Sequence, residues 1–375
     1  MEARWHTRYR GGEKLLEWVA DNAALTTAVA QFEDRVALDT EFIRTHTYYP
    51  MPGLYQVASG DRVFLLDPLG IDDWQPLIEY LRDPHTTKIM HACLEDLELL
   101  HNHLGVSPRN VFDTQYANAF LSPDFSLSYA ALVERLLGIS LEKHETRSNW
   151  LQRPLSDEQI RYAIDDVTHL LRLYQSLSDD LESLGRSAWF GADMRDRSEY
   201  QVSEPTLYYR NVKKAWQLSD QQLAVLQTLC AWREDTARSE NVPRNRVIWD
   251  EHLFGFARID ALSTEHVRQA LPNGVARRYA QPLVDQHRVG RDAQAPEPLP
   301  RPLTPAQGAV LKALRNVARE TAVNLNLAPE LLARKRDLEY CVRHHAQRAE
   351  LSPHYGDWRG ELVADPFMNI LQPLR

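Results

Sequence analysis

With 375 residues, 43% of them hydrophobic and 25% charged, the chain has ordinary globular composition and a length that suits two or three domains, which excludes fibrous, disordered and small disulfide-scaffold classes. The formal charge of -9 taken alone argues against a nucleic-acid partner, but the acids crowd the front: residues 1–200 carry 19 Lys+Arg against 32 Asp+Glu, and residues 201–375 carry 24 against 20. Charges interrupt every apolar run before membrane-spanning length, MEARWHTRYRGGEK has no apolar stretch behind its basic residues, and Cys93, Cys230 and Cys341 are odd in number and far apart, so a soluble, cytoplasmic protein with no membrane partner, no disulfide framework and no cysteine zinc site is expected.

From about residue 20 to 190, strand-like runs alternate with amphipathic helices, which predicts a mixed sheet in an α/β or α+β layer. In chain order these are the strand RVALDTEF, the strands GLYQVAS and RVFLLDP around a GDR turn at 60–62, a helix through WQPLIEYLRD, the short strand TKIMHA, and a helix from Leu94. Ser156 with Gln159 three residues on is a capping-box start for one helix through EQIRYAIDDVTHLLRLY. After residue 205 only helical patterns remain. The Pro-rich segment RDAQAPEPLPRPLTP (291–305) reads as a linker between two blocks that begin alike, LSDQQLAVLQTLCAWRE and LTPAQGAVLKALRNVARE, a weak internal repeat. The expected domains are therefore 1–205, 206–292 and 304–375, with 293–303 as linker.

The acids placed where apolar residues belong carry the chemistry. In VALDTEF (36–42) strand alternation sends Val36, Leu38, Thr40 and Phe42 to one face and Asp39 and Glu41 together to the other, with Thr40 turned into the core. Two adjacent carboxylates raise each other's pKa unless a cation compensates, and hard oxygen donors suit Mg²⁺ or Mn²⁺; a salt bridge from another element, or an acid pair flanking a sugar bond, are the alternatives. In HACLEDLELLHNHL (91–104), Cys93, Leu94, Leu97, Leu100 and Leu104 form a helical apolar stripe on which Asp96 falls, while Glu95 and Glu98 lie to the polar side. In PLSDEQIRYAIDDVTHLLRLY (154–174), Arg161 and Asp165 pair on the outer face, and Tyr162 and Asp166, one turn apart, border the buried stripe. His101 with His103 and His344 with His345 lack the rest of a zinc constellation and read as surface residues.

An Asp-x-Glu on a strand, an inward Asp on a later helix and a Tyr-x-x-x-Asp on another, in that order, resemble the motifs of the tyrosine-bearing branch of the DEDD 3′–5′ exonuclease superfamily. LDTEFIRTHTYYPMPGLYQVA, HACLEDLELL, VFDTQYA, NWLQRPLSDEQIRYAIDDV and WRGELV are similar to bacterial ribonuclease D over nearly the whole chain. The two helical blocks resemble paired HRDC (helicase and ribonuclease D C-terminal) domains. The resemblance implies an α/β ribonuclease-H-like exonuclease domain, with a mixed sheet flanked by helices, followed by two small all-α HRDC domains. It implies a 3′-to-5′ exoribonuclease that trims transfer-RNA precursors and other small structured RNAs and releases 5′-monophosphates. Asp39, Glu41, Asp96 and Asp166 would hold two divalent cations, Mg²⁺ or Mn²⁺, with Asp39 shared by both, and Tyr162 would orient or help deprotonate the attacking water.

Substrate contacts are expected from Arg44, His46, Tyr48 and Tyr49 in RTHTYYP, directly behind the acid strand, where aromatic rings could stack terminal nucleotides. His91, just ahead of the second motif, is expected to be structural or near the substrate, and not a metal ligand. The basic balance of the second half, with RNVARE and ARKRD, suits phosphate contacts to the body of an RNA. No obligate protein partner is evident and a monomer is expected. A DNA-directed exonuclease and a catalytically inert nucleic-acid scaffold are the competing readings.

Overall fold

A computed structural model describes residues 4–9, 12–141, 148–348 and 350–372. The chain divides into two compact units, one of residues 1–43, 52–200 and 303–375 and one of residues 44–51 and 201–302.

The first unit is built on a seven-stranded sheet. Its strands are β1 (Arg4–Tyr9), β2 (Gly12–Val19), β3 (Arg35–Ile43), β4 (Met51–Ser59), β5 (Arg62–Leu66), β6 (Thr87–Met90) and β7 (Val111–Asp113), in the spatial order β1-β2-β5-β4-β3-β6-β7. The β1–β2 and β4–β5 pairs are antiparallel, and β2–β5, β3–β6 and β6–β7 are parallel, so the sheet is mixed as the alternation predicted. The β4–β5 hairpin turns at Gly60, whose φ of 55° is left-handed backbone that glycine adopts without steric cost. Central position explains composition. Val36, Ala37 and Leu38 of β3 are all buried, as a strand covered on both faces requires, so the half-buried Asp39 and Glu41 farther along it stand out as exceptions.

Eight helices accompany these strands: α1 (Asn22–Val29), α2 (Gln75–Arg82), α3 (Leu94–Leu104), α4 (Thr114–Ala119), α5 (Tyr129–Leu137), α6 (Asp157–Thr168), α7 (Leu170–Ser183) and α8 (Ser187–Arg197). Helices α3, α6 and α7 pack against β3. The capping box at Ser156 and Gln159 starts α6 as expected, but the single helix read through residue 174 is two, broken at His169. The Tyr129 hydroxyl makes the break: it donates to the Asp165 carbonyl at 2.9 Å and accepts the His169 amide at 3.2 Å, groups an uninterrupted helix would use itself.

Beyond these come α9 (Asp220–Ser239), α10 (Arg244–Val247), α11 (Asp250–Ala257), α12 (Thr264–Ala270) and α13 (Asn273–Asp292) of the second unit, then α14 (Pro305–Leu325), α15 (Lys335–Arg348) and α16 (Trp358–Leu371) of the first. Both α9 and α14 open with capping boxes, Ser219 with Gln222 and Thr304 with Gln307, which is the local cause of the repeat seen in the sequence. Their placement differs. The sequence reading sets 304–375 apart as a domain, whereas the structure folds α14–α16 into the first unit, with its side chains in the same core as the sheet.

The pin is buried Arg359. Its guanidinium pairs with Asp193 of α8, with Nη1 3.0 Å from Oδ1, donates from Nε to the Leu331 carbonyl at 2.7 Å, and reaches Asp357 at 2.6 Å. Tyr116 of α4 donates to the same Asp193 at 2.5 Å, and Trp358 stacks on Trp189 with centroids 4.6 Å apart. Despite burial, which pushes the other way, the Arg359 and Tyr116 bonds hold the Asp193 carboxyl below the usual carboxylate range. Removing one member of a buried pair strands the other, so Arg359→Ala is expected to lower the stability of this unit by about 3–5 kcal/mol in denaturant unfolding. A loss below about 1 kcal/mol, the scale of an exposed pair, would show that the pair is not a pin.

The second unit has its own core on α9, around Leu223, Leu226, Leu229, Val247, Leu253 and Leu283. Arg233 is buried there between Asp250 at 2.5 Å and Glu234 at 3.2 Å, and Arg244 Nε reaches Glu234 at 2.7 Å. No described helix is long and apolar enough to cross a membrane, and all three cysteines are buried and free.

Candidate active site

The acids converge from β3 and α6. One carboxylate oxygen each from Asp39, Glu41 and Asp166 lie within 4.8 Å of one another. Strand alternation puts the first two on one face, and α6, packed on β3, supplies the third. Tyr162, one turn before Asp166, donates its hydroxyl to the Asp166 carboxylate and sets its ring against Trp150 with centroids 6.1 Å apart.

Asp96 enters from α3 on the inward stripe that Cys93, Leu97, Leu100 and Leu104 define; Leu94, assigned to that stripe from spacing, is instead 51% exposed at the helix start. The Asp96 Oδ1 accepts the Thr40 hydroxyl at 2.5 Å. Thr40 is therefore buried as expected, and its hydroxyl fixes the second-motif acid against the strand that bears the first.

The electrostatics are those of a site built for cations. Burial, then the charges of Asp166, Asp96 and Glu41, holds the Asp39 carboxyl well above its ordinary value. Burial followed by Asp166 and Asp96 pushes Glu41 up to about 9. Burial raises Asp96 to about 7 against the Thr40 bond, and raises Asp166 to about 7 against the Tyr162 bond. Burial and mutual repulsion thus raise all four carboxyls, keeping Glu41, Asp96 and Asp166 protonated toward or into the neutral range, and no described basic side chain is among the causes acting on them. A buried set of hard oxygen donors with this deficit of positive charge fits divalent cations, and the salt-bridge alternative finds no partner among those causes. Burial and the surrounding acids push the Tyr162 phenol above its ordinary range as well, so it keeps its proton and acts as a hydrogen-bond donor.

The loop expected to stack nucleotides behaves differently. Tyr48 lies buried in the core of the second unit: its hydroxyl accepts from Arg244 at 2.9 Å and Arg238 at 3.1 Å and donates to Glu234 at 3.4 Å. The Tyr48 and Tyr49 amides both donate to Asn241 Oδ1, at 3.0 and 3.1 Å, and the Tyr49 ring meets Tyr48 edge-on with centroids 4.9 Å apart. A ring so enclosed has no free face, which corrects the assignment of Tyr48 as a stacking residue. Tyr48→Phe is expected to cost this unit about 1–3 kcal/mol by stranding its partners, with RNA affinity unchanged in a binding titration. Arg44 and His46 are exposed, with Arg44 Nε donating to the Tyr48 carbonyl at 2.9 Å.

His91 packs edge-on against Tyr129, 5.6 Å between centroids, with Nδ1 2.9 Å from the Thr114 hydroxyl, and burial lowers its pKa. One of the histidines read as surface residues is not: His345 is fully buried, whereas His103 is exposed as read, with its Nδ1 2.7 Å from the Tyr55 hydroxyl. Spacing alone also passed over Asp113 in VFDTQYA, a buried acid whose only signal was its place between an apolar pair and a helix start.

The 3′-5′ exonuclease family matches residues 16–182 and the HRDC domain family matches residues 222–285. Ribonuclease D of Pseudomonas paraeruginosa (strain DSM 24068 / PA7) is 39% identical over 374 residues, covering 95% of this chain and 98% of that protein. Ribonuclease D of Escherichia coli (strain K12) is 35% identical over 363 residues, covering 93% and 96%. The crystal structure of Escherichia coli RNase D, described as an exoribonuclease involved in structured RNA processing, superposes with a TM-score of 0.86 at 34% identity, covering 96% of this chain and 99% of that one. With an acid cluster suited to divalent cations on an exonuclease sheet, an HRDC domain behind it and this similarity along nearly its whole length, the chain belongs to the ribonuclease D family.

Proposed function

We propose that this chain, a metal-dependent 3′-to-5′ exoribonuclease by family, trims 3′ extensions from transfer-RNA precursors and similar small structured RNAs. The observation that carries the catalytic reading is the triplet Asp39, Glu41 and Asp166 in mutual reach, with the Tyr162 hydroxyl donated to Asp166. We assign Asp39, Glu41, Asp96 and Asp166 as ligands of two Mg²⁺ or Mn²⁺ ions, Asp39 being the shared one. When bound, the cations supply charge neutralisation at the scissile phosphate and the activation of water that the side chains alone lack.

Water attacks the terminal phosphorus, the P–O3′ bond breaks, and a nucleoside 5′-monophosphate leaves with a new 3′-hydroxyl on the RNA. With its proton donated to Asp166 in a hydrogen bond, Tyr162 would orient the attacking water through its oxygen as a hydrogen-bond acceptor, and Asp166 orients Tyr162 in turn. Thr40 does the same for Asp96. We read the active form as a monomer and, from its proposed transfer-RNA substrates, as cytoplasmic.

The basic balance behind residue 200 and the HRDC match at 222–285 support RNA-backbone contacts by the second unit, to which exposed Arg44 and His46 belong. Block 304–375, with its capping-box start like that of α9, is read as a second HRDC-like element, here built into the exonuclease unit. The test is incubation with a transfer RNA carrying a 3′ extension, with and without chelator, beside a DNA oligomer of matched sequence. Chelator-sensitive release of 5′-mononucleotides that stops near the mature end supports the proposal. Equal hydrolysis of the DNA favours a DNA-directed exonuclease, and no release in Mg²⁺ or Mn²⁺ an inert scaffold.

A further inference from the structure

A helix N-terminus leaves backbone N–H groups without intrahelical partners, and Cys93, the residue that caps α3, makes no side-chain cap bond. Its partner comes from a neighbouring strand. Asp113, the last residue of β7, lies opposite Met90 in the β6–β7 register and so beside the turn that leads into α3. Its Oδ1 accepts the Ala92 amide at 2.9 Å, the Gln115 amide at 2.9 Å and the Tyr116 amide at 3.2 Å; its Oδ2 accepts the Cys93 amide at 3.3 Å and the Cys93 thiol at 3.5 Å. One carboxylate therefore caps α4, directly behind it, and ties down the two residues that lead into α3.

Asp113 is 0% exposed, and a carboxylate so deeply placed is a costly choice unless its bonds fix something. What they fix is strained. Ala92 has φ 55°, left-handed backbone that residues with a side chain adopt only when their surroundings impose it. Thr114 adds to the hold by donating to the Met90 carbonyl at 3.1 Å, with His91 Nδ1 2.9 Å from the same hydroxyl. Residues 90–93 are thus tied, one after another, to residues 113 and 114.

We propose that Asp113 is a positioning residue for the acid cluster: by clamping the turn at Ala92 and Cys93 it sets the start of α3, and with it the place of the Asp96 carboxylate against Thr40 and Asp39. The proposal rests on the reading of Asp96 as a metal ligand. Asp96 is in the first turn of α3, so less than one helical turn separates it from the clamped Cys93 amide. If Ala92 relaxes out of the left-handed region, that first turn rotates, and the short Thr40–Asp96 bond has to stretch or break. Asp113 needs no contact with RNA or cation to act, and no catalytic role is given to it.

A purely structural cap would lower the melting temperature yet leave the folded protein's cation affinity untouched. The experiment therefore measures Mn²⁺ affinity without RNA by titration calorimetry, alongside kcat and KM, for full-length Asp113→Asn, Ala92→Val and Ala92→Gly, with Asp96→Asn as reference. Residue 92 is exposed, so neither of its substitutions disturbs the core; valine resists φ 55° and glycine accepts it. Asp113→Asn and Ala92→Val should each weaken Mn²⁺ binding and lower kcat by about 10–100-fold with KM unchanged, the scale seen when a residue behind a metal ligand is lost. Ala92→Gly should match the wild type.

Folded Asp113→Asn and Ala92→Val proteins with wild-type Mn²⁺ affinity and kcat would overturn the proposal. If Asp113→Asn does not fold, the contrast between Ala92→Val and Ala92→Gly decides by the same criterion. Unchanged Mn²⁺ affinity in Asp96→Asn would remove the underlying ligand reading and the proposal with it. An effect there without one in the other two variants overturns the proposal alone.

Discussion

Asp39→Asn is expected to lower mononucleotide release by about 10³-fold, equivalent to about 4 kcal/mol of transition-state stabilisation, while making the metal-free protein more stable. Both effects have one cause. Asp39 is the acid whose charge is opposed from every side, by burial and by Asp166, Asp96 and Glu41, so the folded metal-free protein is strained most where the cations would bind. Asparagine keeps the shape and one acceptor oxygen but carries no charge, which relieves the cluster and removes the carboxylate proposed as the shared ligand together. At pH 8 the metal-free variant should unfold about 1–2 kcal/mol less readily than the wild type, the scale of relief found when a functional site is neutralised. Steady-state release from a single-stranded RNA and paired denaturant melts, both with chelator controls, check the two effects. Undiminished release sinks the ligand assignment, and a melt that moves the wrong way sinks the account of strain.

Much of this site was legible in the sequence because its elements obey simple periodicities. Alternation placed Asp39 and Glu41 on one face of β3 and turned Thr40 inward, and the structure keeps both. The helical stripe chose Asp96 over Glu95, and the i, i+4 spacing joined Tyr162 to Asp166; these relations are local, and local relations survive folding. The break at His169 did not show, since the amphipathic pattern runs on through it and its cause is a tyrosine hydroxyl forty residues away. The N-terminal hairpin β1–β2 was passed over for a related reason: GEKLLEWV alternates only weakly, and its partner β5 lies far along the chain.

Long-range partners account for the larger misreadings. Tyr48 looks like a stacking residue when only RTHTYYP is in view, and becomes a buried anchor once Glu234, Arg238 and Arg244 close around it from nearly two hundred positions away. The separate domain read at 304–375 joins the exonuclease unit, where Arg359 meets Asp193 from more than 160 positions away. Asp113 gives a helix-cap signal for α4 in the sequence, but that it also holds the turn leading into α3 follows only from the β6–β7 register. In each case the residue type was visible, and the missing quantity was a distance.

Metal affinity should climb with pH through the neutral range. Glu41 is held protonated up to about 9 instead of its ordinary 4.5, and Asp96 and Asp166 up to about 7 instead of 3.8. Between those limits the folded metal-free protein binds protons that the unfolded chain has already lost, so the contribution of these groups to stability is complete below about pH 4 and declines as pH rises toward 9. A divalent cation displaces the same protons. Its apparent affinity should therefore increase by about tenfold per pH unit for each proton released, and the rise in melting temperature on adding Mn²⁺ should be larger at pH 8 than at pH 6. Calorimetric titrations in buffers of different ionisation enthalpy count the protons directly. Binding that releases none between pH 6 and 8, with a melting shift independent of pH, would mean that the acids are already ionised and paired, and the cluster would lose its electrostatic reason for holding a cation.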